Sequence, residues 1–179
     1  MAEQATIKGP SGSVLNAADN RALVRPQSGF DYALSQGNAY SWSNLTYDYD
    51  QHDTLLAVEN NSASMDLHIE RIYLVCDTVG QFTVFSASAI TLAGTALVGV
   101  NLNRNSSNVA PATAKADETG QGEQAAGYLG RLLTGRLAVN IGEMIEVGGT
   151  IVLPLDYMIG IDSNVNGWAF VATVWGYFE

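Results

Sequence analysis

Asp48, Asp50, His52 and Asp53 form the one cluster whose residue types and spacing suggest a chemistry, because oxygen ligands at alternate positions suit a hard cation such as Ca²⁺. The cluster lacks the glycine and the distal bidentate glutamate of a helix-loop-helix calcium loop, and carboxylates at a strand end are ordinarily just solvated. Asp48, Asp50 and Asp53 stand as candidate ligands, while no metal and no cofactor is assigned. The other reactive groups do not converge. His52 and His68 lie in different contexts, and no serine occupies a Gly-x-Ser-x-Gly elbow, so a Ser/His/Asp triad has no support. His68 alternates with Glu70 on a strand, which reads as a solvent-facing pair or a satisfied sheet residue rather than a base. Cys76, the single cysteine, follows Leu74 and Val75 and reads as a small buried hydrophobe rather than a nucleophile. Gly120, Gly122 and Gly127 do not reproduce a phosphate-binding spacing. The chain is read as a protein that binds rather than catalyses.

The elements that must carry such binding follow from composition. The 179 residues suffice for one well-cored domain. Apolar residues make up 47% and charged residues 15%, which argues against a disordered chain, a coiled coil and a polybasic binder. Eighteen carboxylates against eight basic residues leave a net charge of -10, which repels a phosphate backbone and excludes nucleic acid as a partner. That charge is unevenly placed. Within residues 1–38, Glu3, Asp19 and Asp31 balance Lys8, Arg21 and Arg25, so the whole -10 falls on residues 39–179.

The first ten residues show no cationic region followed by an apolar stretch, so synthesis in a cytosol is expected. Residues 78–103 carry no formal charge, yet Gln81, Asn101 and Asn103 interrupt them and Phe82/Val84 alternate with Gln81/Thr83. That is strand periodicity, not a membrane span. Asn44, Asn60 and Asn105 begin Asn-x-Ser/Thr sequences, which without export are chance matches.

Residues 1–38 read as an extended N-terminal arm, with a short helix possible over Val14–Val24 that Pro26 would end. From Tyr40 onward the chain reads as short strands rich in Val, Ile, Thr and aromatics: Tyr40–Tyr47, Thr54–Glu59, Asp66–Cys76, Gln81–Ser86, Ala96–Asn103, Gly127–Val139, Met144–Val147, Thr150–Leu153, Tyr157–Asp162 and Trp168–Tyr177. Breaks carry Asn60-Asn61, Gly148-Gly149 and Asn166-Gly167, the last a two-residue hairpin signal. The pattern predicts an all-β fold: an antiparallel β-sandwich, jelly-roll-like, as a single body over 39–179. Residues 104–127 hold only Val109 as a large aliphatic and read as a long loop outside the core.

The last strand is apolar on both faces. Trp168, Phe170, Ala172, Val174 and Phe178 point one way, and Val171, Trp175 and Tyr177 the other. A strand of this kind must be covered twice, either by the arm or a loop of the same chain or by a sister subunit. The second choice makes Val171, Trp175 and Tyr177 an oligomer interface around a symmetry axis.

The segment Thr54–Phe85, with Leu55-Leu56-Ala57-Val58-Glu59-Asn60 followed by Leu67-His68-Ile69-Glu70-Arg71-Ile72-Tyr73, resembles the strand core of tailed-bacteriophage virion proteins. Asn101-Leu102-Asn103-Arg104-Asn105-Ser106-Ser107 and the Ala/Thr-rich run to Ala116 are similar to the loop of those small structural proteins. The resemblance implies a head decoration, or cement, protein: a jelly-roll knob, commonly a homotrimer, that sits on the outer capsid surface and clamps major capsid protein subunits together. It implies a place on the virion, with the arm, including Arg21, Arg25, Phe30 and Tyr32, ordering on the capsid. The alternative is a carbohydrate- or receptor-binding jelly-roll module, for which Trp42, Tyr47 and Tyr49 beside the three aspartates form the candidate cluster.

Overall fold

A computed structural model describes residues 27–44, 47–48, 54–88, 91–92, 94–116, 127–163 and 169–179. The Val14–Val24 helix, Arg21, Arg25, His52 and the Asn166-Gly167 turn lie outside the described residues.

Among the described residues one helix precedes the strands. Helix α1 (Gly29–Gln36) begins at Ser28, whose hydroxyl accepts from the Asp31 amide at 3.1 Å, and ends at Gly37, which adopts φ 75°. The Asn38 amide reaches back to the Ala33 carbonyl and the Gly37 amide to Leu34, a closed C-terminal turn that glycine enters without strain.

Twelve strands follow among the described residues: β1 (Ala39–Ser43), β2 (Tyr47–Asp48), β3 (Thr54–Asn60), β4 (Leu67–Cys76), β5 (Gly80–Ser88), β6 (Thr95–Leu97), β7 (Val100–Asn101), β8 (Ala112–Ala116), β9 (Tyr128–Leu137), β10 (Glu143–Leu153), β11 (Tyr157–Ser163) and β12 (Ala169–Phe178). They make two six-stranded antiparallel sheets. Sheet I runs β10-β4-β12-β1-β7, with β2 also on β12, and sheet II runs β6-β8-β3-β11-β5-β9. The pairings are nested: β1 with β12, β3 with β11, β4 with β10, and β5 with β9. A long hairpin rolled so that its successive pairs fall alternately in two sheets is the jelly roll, and the expected all-β sandwich is the fold observed.

The tip of that hairpin, between β5 and β9, carries the insertion that supplies β6, β7 and β8. Here the structure departs from the expected loop over 104–127. Residues 112–116 are strand β8 on the edge of β3, and Ala114 and Ala116 are buried. Small side chains are what β8, held between β6 and β3, needs to close over a core already filled by Leu56 and Val58, so a run poor in large aliphatics is compatible with burial.

The core lies between the sheets. Trp42, Leu55, Leu67, Ile69, Ile72, Leu74, Phe82, Ile159, Ile161, Phe170 and Val174 are nearly or fully shielded. In β4 the inward positions switch from odd (Leu67, Ile69) to even (Ile72, Leu74, Cys76), because the extra residue Glu70 bulges between registers that pair Gly176 with Ile69 and Trp175 with Arg71. Opposite it, Gly148 and Gly149, at φ 63° and 74°, bulge out of β10 between Glu146 and Ile151. The sequence break at these glycines is thus a bulge within one strand.

Two asparagines pin the sheets together. Asn44 accepts from the Ala172 amide at 2.6 Å and donates to the carbonyls of Leu55 and Phe170 at 3.3 Å each. Asn60 donates to Met65 and Leu153 carbonyls, both at 2.9 Å. Both side chains are buried, so these two Asn-x-Ser/Thr sequences are structural.

Candidate interaction surface

The outer face of sheet I is built from cross-strand neighbours. Val171 of β12 stands opposite Val75 of β4, Thr173 opposite Tyr73, Trp175 opposite Arg71, and Tyr177 opposite His68. On the next strand Met144 stands opposite Tyr73 and Glu146 opposite Arg71, whose guanidinium lies 3.7 Å from the Glu146 carboxylate. Val75, Tyr73, Val171 and Trp175 are half-buried by one another.

At one end of this face the chain covers itself. Tyr177 is 7% exposed, stacked on His68 with ring centroids 4.9 Å apart and met edge-on by Phe30 of α1 at 6.1 Å. A Cβ on Gly29 or on Gly149 would stand 2.7 Å from the Tyr177 hydroxyl, so the helix start and the β10 bulge can approach only because both positions are glycine. Burial raises the Tyr177 pKa, and the carboxylates of Glu179 and Glu70 raise it further. Tyr177, expected at an oligomer interface, is therefore occupied by its own helix. Val171 and Trp175 remain on the open part of the face.

Phe30 and Tyr32, expected as capsid contacts on an arm, belong instead to α1 and to the body. Phe30 packs against Tyr177 with the Arg71 guanidinium 5.8 Å over its ring, whereas Tyr32 is 40% exposed. The Asn-rich segment ties the C-terminal end of α1 to the body. The Asn101 amide donates to the Gly37 carbonyl at 2.8 Å, Asn103 to Ser35 at 3.4 Å and Asn108 to Gln36 at 3.3 Å, so three side chains meet the carbonyls that a helix end leaves open. Asn101 and Asn103 also accept the backbone amides two residues on, which curls the loop into consecutive Asx turns.

Beside α1 lies a cleft of about 290 Å³, lined among others by Tyr32, Gln36, Asn38, Asn108 and Glu179. Of the aromatic cluster expected for a glycan site, Trp42 is fully buried in the core, while the Tyr47 side chain and residues Tyr49, Asp50 and Asp53 lie outside what is described. Asp48 is placed only by its backbone, in β2 opposite Ala169. Among the described residues no group of three His, Cys, Asp or Glu could hold a metal. Cys76 is buried, and that burial, the largest influence, raises its thiol pKa. Among the described residues no helix is long and apolar enough to cross a membrane.

No protein-family model and no curated protein matches the chain. Residues and fold alone carry the functional argument.

Proposed function

We propose that this chain is a virion structural protein that decorates the outside of a phage capsid and stabilises contacts between major capsid protein subunits. The observation that supports it best is the open part of the sheet I face. There the half-buried Val75, Tyr73, Val171 and Trp175 form an aromatic and aliphatic patch of the kind that protein contacts use. The sequence before α1 adds a second attachment. Glu3 and Asp19 against Lys8, Arg21 and Arg25 give residues 1–26 a net charge of +1, leaving -11 on the rest. In this reading Arg21 and Arg25 of that segment, together with the exposed Tyr32 of α1, are contacts to a capsid.

Deletion should stop short of α1, because removing residues to 38 would strip the cover from Tyr177. Removing residues 2–26 is expected to lower capsid affinity by about tenfold or more, as one of several linked contacts is lost. Unchanged affinity would remove the tether from the proposal.

A second reading, a glycan-binding module, is favoured by the cleft beside α1, where an exposed tyrosine, amide side chains and the Glu179 carboxylate converge. Binding on a glycan array that Tyr32→Ala abolishes would select this reading over decoration.

A further inference from the structure

The two sheets end differently on their two sides. On one side they close with the short strands β6 and β7, three and two residues long, the usual way to blunt an edge. On the other side lie β9 and β10, ten and eleven residues long, each with no strand neighbour beyond it among the described residues. Bulges at Leu132 and around Gly148 interrupt them, which leaves regular stretches at Leu133–Leu137 and Glu143–Glu146 flanking the turn that joins them.

This seam is apolar where an edge ought to be polar. Val139 and Ile141 in the turn are 47% and 62% exposed, Met144 beside it 46%, Val79 next to the turn 62%, and Leu132 at the β9 bulge 42%. Its charges are segregated. β9 carries Arg131 and Arg136 and no carboxylate, and β10 carries Glu143 and Glu146 and no cation, in a chain with only eight cations in all. Arg136 and Glu143 are both exposed and make no ion pair with each other.

We infer that this seam is where the chain associates with further copies of itself, β9 of one copy lying along β10 of the next. Charge selects that pairing. An axis perpendicular to the sheets would set β9 against β9 and β10 against β10, opposing like charges in both. An axis parallel to the strands sets the Arg136 edge against the Glu143 edge of the neighbour, twice in a dimer and three times in a trimer, and buries Val139 and Ile141 near the axis. The unpaired backbone groups of two long edges are satisfied in the same contact. The inference concerns the isolated chain and does not rest on capsid binding.

The test is light scattering of the full chain over a concentration series, with circular dichroism to verify folding. The wild type is expected at two or three times 19.0 kDa. Arg136→Glu alone and Glu143→Arg alone should each weaken association by about tenfold or more, and the double exchange should restore it. Because both positions are exposed, the single variants should fold; should either not, Ile141→Asp in the turn replaces it and must give a monomer. A wild-type monomer, or an oligomer that none of these changes weakens, would overturn the inference.

Discussion

The ring of Tyr177 lies on that of His68 with centroids 4.9 Å apart and planes 13° from parallel, and this stack is the seat on which helix α1 rests. The helix buries Ala33 and half-buries Phe30 and Leu34 there. Tyr177→Ala should cost about 3 kcal/mol of stability, the usual scale for truncating a buried aromatic. The same change should release α1, read as faster amide exchange over residues 29–36 than over β12. Equal exchange in both would mean that the Asn-rich loop, not the stack, holds the helix.

Asn44 joins three backbone groups of both sheets within 3.3 Å. Asn44→Ala strands a buried amide and two carbonyls, and a loss of about 2 to 4 kcal/mol in denaturant unfolding is expected from unsatisfied buried polar groups. Asn44→Asp should not rescue it, because a carboxylate offers no donor to Leu55 and Phe170. Full rescue would show that packing rather than hydrogen bonding fixes the site.

The sandwich was legible in the sequence because its strands are rich in β-branched and aromatic residues and separated by turn residues, and because β12 shows apolar residues on both faces. What covered the second face was not, since α1 and Tyr177 meet only through the fold. Its signals were nonetheless present: Ser28 with Asp31 three residues on, and Gly37 just past the end, mark both caps of the helix. Asn101 and Asn103 stand in the Asn-rich motif read from the sequence and Asn108 just beyond it, but their task, capping a helix 64 to 72 residues earlier, is a tertiary relationship that spacing along the chain does not encode. β8 was missed for a related reason. Its alanines pack because β3 already fills the space, and propensity alone favours a loop.

On the outer face of sheet II, Gly160 gives Phe85 its room: a Cβ at 160 would stand 2.2 Å from the ring. Gly160→Ala should destabilise by about 1 to 3 kcal/mol through overpacking. Phe85→Leu combined with Gly160→Ala should cost less than the two single changes added, as expected for neighbours that share one space. Strict additivity in thermal unfolding would contradict the contact.

The Glu59 carboxyl is raised above its ordinary range, first by burial and then by the nearby charge of Asp156. A carboxyl that holds its proton more tightly in the fold than in the unfolded chain costs stability when ionised. That cost is present above its folded pKa, shrinks as pH falls through that value, and is absent below the unfolded pKa. Glu59→Gln should therefore melt higher than wild type at pH 7, with the advantage fading in acid. A gain that persists below the ordinary carboxylate range would assign the effect to packing instead.

The proposal that this chain decorates a capsid is tested most directly by co-sedimentation with intact capsids assembled from the major capsid protein of the same virus, beside unassembled subunits of that protein. Decoration predicts that the chain pellets with the assembled capsids at saturable stoichiometry and does not bind the free subunits. A chain left in the supernatant with capsids, or one bound equally to free subunits, would contradict it.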